Sequence, residues 1–145
     1  MQLRKLTTCL TLALLLGACS DNGDNPAGPS DDGSNGGGGS DTVSFATDVQ
    51  PILTANCAVA PCHGTGYSQN GMTLGDATYS EVMAASGNGT GGPIVVAGNS
   101  AQSTLYTKTT ANPPFGVRMP AGRTPLSADQ QQAIADWIDQ GALDN

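Results

Sequence analysis

The sequence predicts a mainly α domain, with about four helices joined by glycine-rich loops, over residues 43–145. Three observations carry that prediction. Apolar residues recur at helical spacing near residue 45 and again near residue 137. The second of these stripes is preceded by a Ser-x-x-Gln capping signature and followed by a glycine. Between them, short periodic stretches alternate with glycine-rich runs such as SGNGTGGP at 86–93.

Taken in order, Phe45, Val49, Ile52 and Leu53 mark the inner face of the first helix. Pro51 is acceptable there if Thr47 or Asp48 caps the start, so that the proline falls in the first turn. The helix would deliver Cys57 at its end. Residues 79–85 and 103–109 read as two shorter helices. The last helix is capped by Ser127 and Gln130, carries Ile134, Trp137 and Ile138 on one stripe, and stops at Gly141. The glycine-rich runs lack the lysine and following helix of a phosphate-binding loop and read as connections.

The start of the chain has a different character. Arg4 and Lys5 precede an apolar run from Leu6 to Leu16, too short for a membrane-spanning helix but suited to an export signal. The run ends at Leu16-Gly17-Ala18-Cys19, which resembles the bacterial lipobox. That resemblance implies a signal peptide over 1–18, lipid on Cys19, and loss of Cys9. The bland alternative is an ordinary cleaved signal with a nearby cysteine. Ser20 stands where an aspartate can hold such lipoproteins at the inner membrane, so the resemblance implies an outer-membrane anchor. Residues 20–42 contain no aromatic residue and no Leu, Ile or Val. With Cys19 they read as a lipidated, disordered tether over 19–42, with an r.m.s. reach of about 25 Å.

In residues 43–145, Leu, Ile, Val and Phe number 18 of 103. That is below the share of about 20% at which burial alone sustains a fold, so something else is expected to complete the core. Without the signal, three basic residues, Lys108, Arg118 and Arg123, face twelve acids, a net charge of −9. Phosphate binding requires clustered Lys and Arg, so nucleic acid is not an expected partner.

The stretch NCAVAPCHG, at 56–64, holds Cys57, Cys62 and the chain's single histidine, His63. A c-type haem site needs two thiols to add to the porphyrin vinyl groups and an imidazole directly after the second thiol, usually as C-x-x-C-H. Here the spacing is C-x-x-x-x-C-H. The longer loop can bulge outward while Cys62 and His63 keep their adjacency. The same residues admit a Cys57–Cys62 disulfide in an oxidising compartment. Zinc would lack a full ligand set, and copper with Cys, His and Met would leave one thiol without a role.

FATDVQPILTANC, then CHG, GMTL, IVVAGNSAQSTLYTK, RMPAG and PLSADQQQAIADWIDQGA together resemble the class I cytochrome c fold. The similarity is greatest to the cytochrome c domains of bacterial surface lipoproteins and planctomycete-type proteins, and it covers nearly all of 43–145. Some members of that family also carry four residues between the cysteines. The resemblance implies a cytochrome c-like domain around one haem c, with Cys57 and Cys62 as thioether attachments and His63 as proximal ligand. It places the distal ligand at Met119 in GVRMPAG, with Met72 the main competitor; a thioether there stabilises ferrous iron and raises the potential. Met72 and Met83 have core packing as their commoner explanation. Arg118, ahead of Arg123, is the expected partner for haem carboxylates. The implied crossing of the first and last helices makes Trp137 a packing residue.

The expected function is single-electron transfer by a lipid-anchored carrier in the cell envelope. Its partners would be redox proteins, and no small-molecule substrate or enzymatic activity is expected. One alternative is a disulfide-stabilised surface lipoprotein that binds a partner without haem. Another is an oxidase or peroxidase domain, which would require Met119 to be displaceable.

Overall fold

The computed structural model describes residues 42–145. The expected signal peptide, Cys19 and nearly all of the tether lie outside the described residues. Within them the domain is mainly helical, with four α-helices and no strand. Isolated backbone bridges, Gly64 with Gly75, Gln69 with Met72 and Ser86 with Pro93, close the intervening loops.

The first helix opens as a π-helical turn, Phe45–Val49, and continues as α1, Gln50–Asn56. Ser44 caps it, in place of the expected Thr47 or Asp48. The Ser44 hydroxyl accepts the Thr47 N–H at 3.3 Å, and the Asp48 carboxylate accepts the Ser44 N–H at 2.8 Å. The reason is the wider turn, in which the Gln50 N–H bonds to the Phe45 carbonyl. The helix therefore begins before the proline's own turn, and Pro51, which has no N–H to donate, falls where the register changes.

Helix α2 is Tyr79–Ala84, with Thr78 and Glu81 forming a capping box. Helix α3, Thr104–Thr107, follows a 3-10 turn at Ser100–Gln102. It is shorter than the expected 103–109. Ser103 is extended and serves as the cap, while beyond Thr107 the N–H of Thr109 turns to the Tyr106 carbonyl at 2.8 Å. Helix α4, Ala128–Asp139, has the expected Ser127/Gln130 capping box. It ends in a Schellman closure: Gly141 has φ +108, its N–H meets the Ile138 carbonyl at 3.0 Å, and the Ala142 N–H meets the Trp137 carbonyl at 2.9 Å.

The core gathers where the first helix meets α4. Phe45, Val49 and Leu53 join Ile134, Trp137 and Ile138 in one buried cluster. Phe45 lies 5.2 Å from the Trp137 ring and edge-on to Tyr79 at 5.4 Å. Aromatic pairs in such arrangements add to the energy of burial alone. The polar tips are satisfied, since Trp137 Nε1 donates to the Leu143 carbonyl and the Tyr79 hydroxyl to the Ala142 carbonyl, both at 2.9 Å. Trp137 is thus a packing residue, as expected. The cluster continues to Leu74, Ile94 and Leu105, which also line a cavity.

Candidate functional site

Helix α1 hands the chain to the Cys57–Gly64 loop. The N–H groups of Cys57 and Ala58 both bond to the Leu53 carbonyl, at 2.8 and 2.9 Å. The loop then folds back, with Cys62 N–H on the Val59 carbonyl at 2.7 Å and His63 N–H on the Cys57 carbonyl at 3.3 Å. Ala60 and Pro61 are exposed, so the extra residues between the cysteines project outward. Gly64 permits the closure: a Cβ there would sit 3.0 Å from the Ala58 carbonyl oxygen and 3.1 Å from Val59 backbone carbon.

His63 is buried, and its Nδ1 lies 3.0 Å from the Met72 carbonyl. A carbonyl can only accept, so Nδ1 carries a proton, and in the neutral ring Nε2 then keeps its lone pair. Nε2 has no hydrogen-bond partner, yet no buried side-chain nitrogen or oxygen is left unpaired among the described residues. It therefore retains accessible surface. The backbone behind the ring is held by the Leu74 N–H, 2.6 Å from the His63 carbonyl.

His63 faces two adjoining cavities of about 160 and 280 Å³, which share Cys57, His63, Gln69, Asn70 and Met119 in their walls. The first is deepened by Leu74, Ile94, Leu105 and Phe115; the second is bounded by Cys62, Pro61 and Pro120. Met119 is half-buried, and its N–H bonds to the Lys108 carbonyl at 2.7 Å. Gly116 and Gly122, at φ +57 and +68, let the chain turn on either side of it.

The structure thus brings Cys57, His63 and Met119 into the lining of both cavities and Cys62 into that of the second. Met72 also lines the first cavity, but its carbonyl holds the rear of the imidazole. Met83 packs against the core on α2 and lines neither cavity. Arg118 is not brought into either lining; its Nε donates to the Thr109 carbonyl at 2.7 Å. Arg123 also stays outside, with Nη1 3.5 Å from the Asn56 carbonyl. Burial pushes the Cys57 thiol up to about 11, with the Arg123 charge opposing and Cys62 adding to the rise. Both cysteines are free thiols. No three His, Cys, Asp or Glu side chains converge as a metal-ion site among the described residues.

The cation on the wall is Lys108, whose ammonium donates to the carbonyls of Phe115 and of Val117, the latter at 2.6 Å, and lies 4.5 Å from the Phe115 ring centroid. Desolvation pulls this ammonium below the usual lysine range. Sequence reasoning counted Lys108 only as a charge. The available signal was that it is the sole lysine of residues 43–145 and precedes the RMP loop by ten residues.

Comparison with family models, curated proteins and solved structures finds no match for this chain.

Proposed function

We infer that the chain is a membrane-anchored c-type cytochrome that carries single electrons, its domain being of the class I cytochrome c kind. The observation that carries this reading is the state of His63. In the neutral ring the proton on Nδ1 faces the Met72 carbonyl at 3.0 Å, which leaves the Nε2 lone pair available, and His63 lines a cavity that Met119 and Cys57 also line. Orientation of an imidazole by a backbone carbonyl on its far nitrogen is the usual way a metal-binding histidine is prepared.

The residues present fit a haem. Cys57 and Cys62 are free thiols lining one cavity, suited to thioether attachment. His63 and Met119 would be its axial ligands, and Leu74, Ile94, Leu105 and Phe115 would give it an apolar bed. When bound, haem supplies reversible one-electron exchange between ferrous and ferric iron. The chain's own part is to keep the imidazole in one tautomer, hold the thioether sulfur at the wall and restrict water through the surrounding apolar side chains. If His63 and Met119 both ligated the iron, no coordination place would remain for a substrate, which favours a carrier over an enzyme. Lipid on Cys19 and the 19–42 tether would confine the domain to the cell envelope, at the outer membrane, within reach of redox partners.

The test is co-expression with a cytochrome c maturation system, read by intact mass and visible spectrum. A covalent adduct of haem mass with sharp reduced bands is expected, and Cys57→Ser with Cys62→Ser together should abolish the adduct. A colourless protein two protons lighter than its sequence would instead establish a disulfide-stabilised binding lipoprotein.

A further inference from the structure

Lys108 makes a set of contacts that a solvated surface lysine does not make. Its ammonium is shared between the carbonyls of Phe115 and Val117 and approaches the Phe115 ring at 4.5 Å, while its own carbonyl receives the Met119 N–H at 2.7 Å. One residue at the end of α3 therefore grips residues 115–119 at three points. The segment has no helix or strand of its own to hold it. Val117 is 62% exposed and Gly116 has a positive φ, so neither packing nor a regular hydrogen-bond ladder fixes the backbone there. The Phe115 ring is placed in turn against Gly89, where a Cβ would come within 2.7 Å of the ring edge. Contacts thus run from the 86–93 loop through Phe115 to Lys108 and on to Met119.

We propose that Lys108 is a positioning residue, a latch that holds the 115–119 segment as a wall of the cavity and thereby sets where the Met119 sulfur stands. Hydrogen bonds from a charged donor are among the stronger ones, and two from Lys108 converge on the Phe115 and Val117 carbonyls, in a segment whose other hydrogen bonds are the Arg118 Nε bond to the Thr109 carbonyl and the Met119 N–H bond to the Lys108 carbonyl. Their removal loosens the segment at 115–117, leaving Met119 dependent on the Arg118 and backbone anchors, while the core around Trp137 stays in place. The consequence for Met119 as an iron ligand rests on the electron-carrier reading; the latch itself does not.

The experiment compares Lys108→Met, which keeps the length of the stem and removes the donors, with the parent. In the haem-free protein, tryptic cleavage after Arg118 and amide exchange at Met119 are expected to be about tenfold faster in Lys108→Met, with the amides of α4 as protected as in the parent. In the haem-loaded protein, the spectroscopic signature of thioether ligation should weaken and the potential should fall. Lys108→Arg, which keeps a cation and its donors, should restore slow cleavage, and it serves equally if Lys108→Met does not fold. Unchanged cleavage and exchange in Lys108→Met would overturn the latch. A released segment in a protein that never shows thioether ligation, even in the parent, would leave the latch standing and overturn the electron-carrier reading.

Discussion

Cys57 ends α1 with its sulfur on the cavity wall, and its thiol is raised to about 11 from an ordinary 9.0, chiefly by burial. A folded-state value above the unfolded one favours the protonated form in the fold. The resulting stabilisation is complete below pH 9 and is lost as the pH rises through 11. Urea titrations of the haem-free protein should therefore show stability declining between those limits, and Cys57→Ala should remove that part of the decline. At pH 8, iodoacetamide should modify Cys57 roughly ten- to a hundredfold more slowly in the folded protein than in urea, because the thiolate is the reactive form. Equal rates would show that the side chain is not buried as described. At this scale the sequence was informative where chemistry is scarce: a single histidine directly after a cysteine can be singled out without a structure. Lys108 and the Met72 carbonyl could not be found that way. Their roles depend on which backbone oxygens the folded loops bring near them, and no residue type announces that.

Among the elements, α4 was the most legible because its determinants are local. The cap, the apolar stripe and the stopping glycine all lie between Ser127 and Gly141, and each holds its expected place. Ser127→Ala should cost about 1 kcal/mol by leaving the Gln130 N–H without its partner, lowering the thermal midpoint by roughly 4–8 °C. A shift below about one degree would mean that tertiary packing alone sets the start of α4. The first helix was placed correctly but started wrongly. Its beginning depends on a π-helical turn and on Asn145, whose side-chain oxygen accepts the Phe45 N–H at 2.8 Å from the far end of the sequence. Helix α3 was overextended for a similar reason. Its final N–H groups take closer carbonyl partners in a tightening turn, while Thr109 gives its own carbonyl to Arg118.

Over the whole molecule, the low apolar content has a structural counterpart. The buried cluster includes residues of the first helix and α4, and its members Leu74, Ile94 and Leu105 also line a cavity together with Cys57, His63 and Met119. The low share of large apolar residues led to the expectation of a supplement to the core, and under the proposed function a haem held by Cys57, Cys62, His63 and Met119 would be that supplement. The arrangement of the walls was not legible, because residues from three separate connections and from α3 contribute to them. The central claim of the proposed function is that His63 and Met119 would together ligate the iron of one haem. It is tested most directly by the midpoint potential and reduced spectrum of the haem-loaded parent beside Met119→Ala. The claim predicts a potential lower by on the order of 100 mV in the variant, together with a coordination place open to added imidazole. An identical potential and spectrum in the two proteins would contradict it.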